Sequence, residues 1–284
     1  VAVVAGKLAY RFGAPALLLF LWVGMLFGLD FISYRSTDVT QFIGMISLCV
    51  ILFTGGMDTK VSEIRPIVGP GVVLATVGVL LTALILAGFV WLIAPWIGLE
   101  MPFALALLLA STMSSTDSAS VFSILRSKKQ GLRQHLRPLL ELESGSNDPM
   151  AYMLTIVLIQ VISSGSNPDF LLITKDLLVQ FFFGGVIGYA MGRFSVWLIN
   201  RINLSNSSLY SILLLSLVFI TFTITDLLKG NAYLAVYIMG VILGNTRLAF
   251  RKEINTFMSG LTWLFQIIMF LTLGLLVNPH EMLD

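Results

Sequence analysis

The feature that most constrains this chain is the recurrence of long apolar stretches separated by short polar gaps. A helix needs about 20 apolar residues to cross about 30 Å of hydrocarbon. We assign the stretches to spans near 1–11 (partial), 14–31, 39–57, 68–96, 101–125, 137–163, 174–200, 207–228, 230–246 and 256–278. The pattern predicts an all-α membrane protein with about nine or ten transmembrane helices.

The composition agrees with a chain whose solvent is lipid. Hydrophobic residues make up 57% of the 284 residues and charged residues only 11%, whereas a soluble domain carries roughly 25% charged residues. The net charge of +2 and the lack of a basic polar face argue against a nucleic-acid partner. The single cysteine, Cys49, lies in an apolar run, so we expect it to pack without forming an internal disulfide.

We treat residues 1–284 as one transmembrane domain, because no linker or low-complexity segment divides them. The chain opens directly in apolar sequence at Val1, without an initiator methionine, and stops soon after the last apolar stretch. We therefore expect it to be incomplete at both ends.

The basic residues predict the orientation of the chain in the membrane. Fourteen of the 17 lysines and arginines fall in alternate gaps, and the other set of gaps holds only Arg35, Lys175 and Lys229. Cytoplasmic loops of membrane proteins carry the excess of positive charge. The alternation therefore places the basic gaps in the cytoplasm of a multi-pass protein of the cell (inner) membrane.

One polar stretch at membrane depth surrounds Asp117. Seven of the eleven residues from 110 to 120 are serine or threonine. Hydroxyl groups can satisfy backbone groups where a membrane helix is interrupted, and an unwound stretch would expose carbonyl oxygens to a cation. The alternative is a continuous helix whose small residues allow close packing. Because a carboxylate in the membrane is costly, Asp117 favours the functional interpretation.

A second polar stretch runs from Glu143 to Pro149 and includes Ser144, Asn147 and Asp148. On a helix, Glu143 and Asn147 share one face, and Ser144 and Asp148 share the adjoining face. Gly145 should let another backbone approach closely, and Pro149 leaves the carbonyl of Gly145 unpaired within the helix. Two turns before Asp148, Glu141 is more simply explained as an acid in the first turn, opposite the positive helix end, than as a residue that attracts cations at the cytoplasmic mouth.

These two stretches supply the oxygen ligands that hard cations prefer. A carboxylate at mid-membrane can bind a proton or a metal cation in turn, which is the minimum chemistry of an antiporter. The alternative for Asp148 and Glu143 is a structural polar network between helices. Two other functions stay open, namely a passive cation channel and an intramembrane aspartyl protease with Asp117 and Asp148 as its dyad. The protease motif Gly-x-Gly-Asp is absent, since the sequence reads Gly145-Ser146-Asn147-Asp148.

The motif at 143–149, preceded by Ser115-Thr116-Asp117, resembles that of the NhaP/NHE-type monovalent cation:proton antiporters, and most closely the bacterial potassium/proton antiporters of the NhaP group. Gly55-Gly56-Met57 and residues 269–279 also look like that group. The resemblance covers essentially the whole chain in matching order.

The resemblance implies an NhaA-type fold, with inverted repeats and a broken-helix crossing at mid-membrane, in a homodimer. It implies exchange of Na⁺ or K⁺ for H⁺ without a cofactor, and the Asn147–Asp148 pair marks the electroneutral group. By the same resemblance, Asp148 is the shared cation and proton site. The metal-ion ligands are then Asp148, Asp117, the Ser144 hydroxyl and the Thr116 main-chain oxygen, while Asn147 orients the site and Glu143 pairs with an arginine.

Two departures from the family pattern matter. Thr54 stands where many relatives carry an acid before the glycine pair, so no third acidic contact is expected there. The chain also stops before the helix expected to carry the arginine partner of Glu143, and before the second broken helix. We therefore expect the second repeat to be cut short.

Overall fold

The fold is known from a computed structural model that describes residues 16–30, 36–116, 121, 136–164 and 170–277. All regular secondary structure in these ranges is helical, as predicted. Its segments are α1 (Ala16–Asp30), α2 (Thr37–Asp58), α3 (Val61–Ile97), α4 (Phe103–Thr112), α5 (Leu136–Ser164), α6 (Phe170–Arg201), α7 (Ser208–Leu227), α8 (Ala232–Gly244) and α9 (Arg251–Leu276). Each predicted span from 14–31 onward overlaps one of these helices, with differences at the ends.

Five of the described helices are long and apolar enough to cross a membrane, namely α2, α3, α6 from Thr174 onward, α7 and α9. The apolar parts of α1, α4 and α8 are shorter, at 10–17 residues. Helix α5 has 29 residues, about 43 Å at 1.5 Å per residue, and it carries the polar motif at 143–149. The number of membrane crossings stays a prediction.

The boundaries differ from the predicted spans where polar residues join a helix. Helix α9 begins at Arg251, five residues before the apolar span, because Glu253 in its first turn suits the positive helix end. Helix α3 begins at Val61 and includes a π turn at Leu74–Gly78. Its 3₁₀ turn at Arg65–Ile67 contains Pro66, which cannot donate a helical hydrogen bond.

The structure decides between the two alternatives for the serine- and threonine-rich run. Helix α4 ends at Thr112, and residues 113–116 are not helical. The Thr112 and Ser114 hydroxyls donate to the carbonyls of Leu109 and Ser111 at this end, which satisfies backbone acceptors that a helix end leaves open. The single continuous span predicted over 101–125 is therefore wrong, and the interruption is confirmed as far as Thr116.

The helices pack in two groups that meet at α5. Helices α1, α2 and α6–α9 pack on one another, while α3, α4 and α5 form the second group. The largest cluster of buried apolar side chains lies in the first group and includes Phe53, Leu214, Met239 and Cys49. The burial of Cys49 fits the prediction that it only packs. Helix α5 also contacts α2, α6 and α8, so it is the surface through which the groups touch.

Helix α8 lies backbone to backbone against α2. A Cβ atom at Gly240 would overlap the carbonyl oxygen of Phe53, and one at Gly56 would overlap the carbonyl oxygen of Tyr237. Small residues allow such close approach where lipid removes the hydrophobic force between helices. The short helix α8 is thereby held firmly in the bundle, and it presents Tyr233 and Tyr237 near α5.

Candidate ion-binding site

The polar motif of α5 forms a connected patch on the helix. The amide nitrogen of Asn147 donates to Glu143 Oε1 at 2.8 Å, one turn earlier. This contact confirms that Glu143 and Asn147 share a face, as the i, i+4 spacing predicts. Ser144 and Asn147 are buried, and Asp148 is partly buried. The patch therefore lies inside the protein at about the middle of α5.

The non-helical segment after α4 contacts this patch through Ser115. The Ser115 hydroxyl lies 2.5 Å from Asp148 Oδ1 and 2.9 Å from Asn147 Oδ1. Hydrogen bonds to a charged acceptor are the short ones. Because the helix has ended at Thr112, the Ser115 side chain can reach α5 instead of continuing around a helical turn. The interruption in α4 thus brings a hydroxyl to the carboxylate of Asp148.

Thr116 meets the other side of the patch with its side chain. Its hydroxyl accepts from Asn147 Nδ2 at 2.8 Å and lies 3.2 Å from Ser144 Oγ and 3.5 Å from Glu143 Oε2. Its main-chain oxygen accepts from the Ser115 hydroxyl at 3.1 Å. The expected use of that carbonyl as a cation ligand thus stays a prediction.

Helix α8 touches the patch at Gly145. A Cβ atom on Gly145 would lie 2.6 Å from Cε2 of Tyr237, so only glycine fits beneath this ring. The Tyr237 hydroxyl is 3.5 Å from Thr59 Oγ1 and also hydrogen-bonds Ser146. The prediction that another backbone approaches Gly145 is wrong, because the space is filled by an aromatic side chain.

Asn231, at the N-terminus of α8, contacts α5 beside Asp148. Its side-chain oxygen accepts from the Leu234 amide at 2.9 Å, so it caps α8, and its side-chain nitrogen donates to the Pro149 carbonyl at 3.0 Å. Asparagine is a preferred helix cap because its side chain satisfies a free backbone N–H. The same residue therefore fixes the start of α8 and ties it to α5 next to the carboxylate.

The structure brings together five of the predicted site residues, and one lies outside its description. Thr116, Glu143, Ser144, Asn147 and Asp148 form one hydrogen-bonded group with Ser115. Asp117 lies outside the described residues. Glu143 contacts Asn147 and Thr116 here, and its pairing with an arginine stays a prediction.

Two neighbouring expectations have structural outcomes. Glu141 forms an ion pair with Arg137 one turn earlier, at 2.9 Å. The expectation that it lies in the first turn is wrong, because α5 begins at Leu136 and its first turn holds no acid. Thr54 donates to the Val50 carbonyl and accepts from the Thr262 hydroxyl at 2.9 Å, all buried between α2 and α9. Thr54 therefore links α2 to α9.

The sequence interpretation missed three residues of this site. Ser115 was part of the recognised motif, yet no role was assigned to it, although its place beside Thr116 was a usable signal. Tyr237 and Asn231 lie more than 80 residues away along the chain. Their side chains in an apolar helix and at its start carry no periodic signal that points to α5, so only the packing identifies them.

The arrangement offers the types of ligand that a small cation prefers. Carboxylate, hydroxyl and amide oxygens from α5 and from the segment after α4 converge within hydrogen-bonding distance of one another. Hard cations prefer oxygen ligands. Ser144 and Asn147 are buried, Asp148 is partly buried and Thr116 is exposed. A carboxylate at membrane depth is costly unless a proton or a cation offsets its loss of solvation.

Comparison with known proteins gives a consistent result. The whole chain, residues 1–284, matches the family described as "Sodium/hydrogen exchanger, transmembrane". It is 40% identical over 287 residues to the K(+)/H(+) antiporter NhaP of Alkalimonas amylolytica, covering 100% of this chain and 49% of that protein. It is 28% identical over 211 residues, or 74% of this chain, to the Na(+)/H(+) antiporter NhaP of Pseudomonas aeruginosa, covering 49% of that protein.

The fold is similar to that of a solved structure, the sodium proton antiporter MjNhaP1 from Methanocaldococcus jannaschii. The TM-score is 0.80 with 22% identity, and the match covers 100% of this chain and 69% of that one. The chain spans about half the length of the curated relatives it matches. These matches and the long apolar helices identify a multi-pass protein of the cell membrane. The resemblance seen in the two acidic motifs is confirmed, and the chain belongs to the transmembrane sodium/hydrogen exchanger family.

Proposed function

We propose that this chain forms the ion-exchanging part of a secondary antiporter that exchanges Na⁺ or K⁺ for H⁺, with Asp148 as the shared site. The observation that carries the proposal is the short contact between the Ser115 hydroxyl and Asp148 in the middle of α5. In this contact a hydroxyl from the non-helical segment after α4 lies beside a partly buried carboxylate. Relatives named K(+)/H(+) and Na(+)/H(+) antiporters support exchange of a monovalent cation for a proton.

The proposed cycle uses one carboxylate for two ions. Asp148 binds the cation together with Ser144, Thr116 and Asp117, releases it on the other side of the membrane and returns protonated. Asn147 orients the site through its contacts with Glu143 and Thr116. Because a proton replaces a singly charged cation on the same carboxylate, exchange by this scheme is electroneutral. No cofactor takes part, and the ions are the substrates.

We propose the finer features of the fold on the same basis. They are the NhaA-type arrangement with inverted repeats, the broken-helix crossing near Thr116, a homodimer, and alternating access around Asp148. The helix end at Thr112 and the overall similarity to MjNhaP1 support the arrangement. We also propose that the chain forms one transmembrane domain.

The test is cation-driven proton movement in proteoliposomes of the full-length protein, followed with an internal pH dye. Wild type should move protons on addition of Na⁺, K⁺ or both, and Asp148→Asn should abolish this movement. Asp38→Asn is the matched control, since it makes the same chemical change at an exposed residue in the first turn of α2. Each variant is checked for normal folding by gel filtration.

The outcomes separate the competing functions. Proton movement that survives in Asp148→Asn would overturn the assignment of the site. Currents far larger than a stoichiometric exchanger can carry would indicate a passive channel. Cleavage of a membrane peptide by the purified protein would indicate an intramembrane protease.

A further inference from the structure

A polar cavity of about 440 Å³ opens between α5, α6, α7 and α8. It lies at the end of the bundle opposite the basic gaps, which is the outer side by the positive-inside rule. Its lining includes Gln160, Asp176, Asp226 and Lys229, each close to an end of a helix. Two carboxylates and one ammonium line it, so its charge favours cations over anions.

The cavity points along α5 toward Asp148. Tyr152, Ile156 and Gln160 all line it, and they follow one another at intervals of four residues. Residues four apart lie on the same face of a helix. One step further back along the same face is Asp148, about 6 Å deeper at 1.5 Å per residue. The floor of the cavity is therefore one helical turn from the carboxylate.

Two contacts close the cavity at this floor. The ring of Tyr152 meets the ring of Tyr233 edge to face, with centroids 4.9 Å apart. Beside them, Asn231 donates its side-chain N–H to the carbonyl of Pro149. Tyr233 is 5% exposed and is also held by Phe222, whereas Tyr152 is 45% exposed. Tyr152 is thus the closing group with room to change its rotamer.

We infer that this cavity is the outer vestibule through which monovalent cations reach Asp148, and that the Tyr152–Tyr233 contact is its gate. The inference rests on the proposed antiport, and it adds the route and the group that opens. Asp176 and Asp226 raise the local concentration of cations at the mouth, and rotation of Tyr152 into the cavity exposes the face of α5 that carries Asp148.

The first test is blockage of the vestibule with a membrane-impermeant cationic thiol reagent. Gln160→Cys in the full-length protein, in right-side-out vesicles, should lose cation-driven proton movement after treatment, and in everted vesicles it should not. The control is Asp38→Cys, which is exposed at the same end of the bundle outside the cavity lining and should be labelled without loss of exchange. The untreated and treated wild type set the background, since Cys49 is buried.

The second test concerns the gate formed by Tyr152 and Tyr233. Tyr152→Ala removes the ring contact and should let cations leak without matching proton movement, while Tyr152→Phe keeps the ring and should stay coupled. Asp226→Asn should raise the external cation concentration for half-maximal exchange by about two- to fivefold at low ionic strength, with the difference fading at high salt. Asp38→Asn should show no such shift.

Each result counts for or against the inference. Exchange that persists after labelling of Gln160→Cys shows that the cavity is not the cation route, and leaves the proposed antiport intact. Gln180→Cys, on the facing helix α6, replaces it if that variant does not fold. If cation and proton movement stay fully coupled in Tyr152→Ala, the assignment of this contact as the gate is wrong. A wild type that moves no protons with Na⁺ or K⁺ overturns the antiport itself and this route with it.

Discussion

Replacing Gly145 with alanine tests the contact between α5 and α8, which sets the position of Asp148. The added Cβ would lie 2.6 Å from Cε2, 3.0 Å from Cζ and 3.2 Å from the hydroxyl oxygen of Tyr237. The ring has little room to move, because Tyr237 is buried and its hydroxyl bonds Thr59 and Ser146. One helix must therefore shift away from the other.

The magnitude follows from two opposing effects. Overpacking a filled interior costs about 1–3 kcal/mol, and alanine gains about 0.5–1 kcal/mol over glycine within a helix. The net loss is about 0–2.5 kcal/mol, centred near 1 kcal/mol, and at about 2–4 °C per kcal/mol the central value lowers the melting temperature by a few degrees. Gly88→Ala is the matched control, since nothing lies within 4 Å of its added Cβ, and its melting temperature should stay or rise.

The assay is thermal unfolding of the full-length protein in detergent, followed by the loss of its monodisperse gel-filtration peak. A double-mutant cycle with Tyr237→Leu isolates the contact, because leucine removes the ring atoms that the new methyl group meets. Gly145→Ala should lower the melting temperature much less in the Tyr237→Leu variant than in the wild type. If Gly145→Ala is tolerated as well as Gly88→Ala, the packing of Tyr237 on α5 is not as described and the reasoning fails.

Three further predictions concern polar contacts. Asn147→Leu leaves Thr116 and Ser115 without its amide, so unfolding in detergent should become easier by about 1–3 kcal/mol, and cation-driven proton movement should fall with it. Asn245→Ala removes bonds to the Val61 amide and to the Thr59 and Val241 carbonyls at the C-terminal end of α8. It should lower the melting temperature while Asn255→Ala, on α9, has little effect. Thr262→Val breaks the buried bond to Thr54, and a loss of about 0.5–1.5 kcal/mol is expected; an unchanged melting temperature would argue against that contact.

The sequence alone determined the class of the protein and most of its helices. In apolar stretches that span a membrane, the backbone N–H and C=O groups find no water, so they form hydrogen bonds with one another within helices. The acids at 143 and 148 stood out because carboxylates are rare at membrane depth. The i, i+4 spacing was enough to place Glu143 and Asn147 on one face, since helical periodicity is a local property.

Only the tertiary structure decided what surrounds Asp148. The end of α4 at Thr112, the approach of Ser115 and the ring of Tyr237 over Gly145 all depend on how separate helices pack. In a chain that is apolar nearly throughout, a tyrosine or asparagine at a contact looks the same as one facing lipid headgroups. Close packing between helices depends on the shapes of their surfaces, through small residues such as Gly145 and Gly240. A local sequence pattern cannot predict how the surfaces of two distant segments fit together.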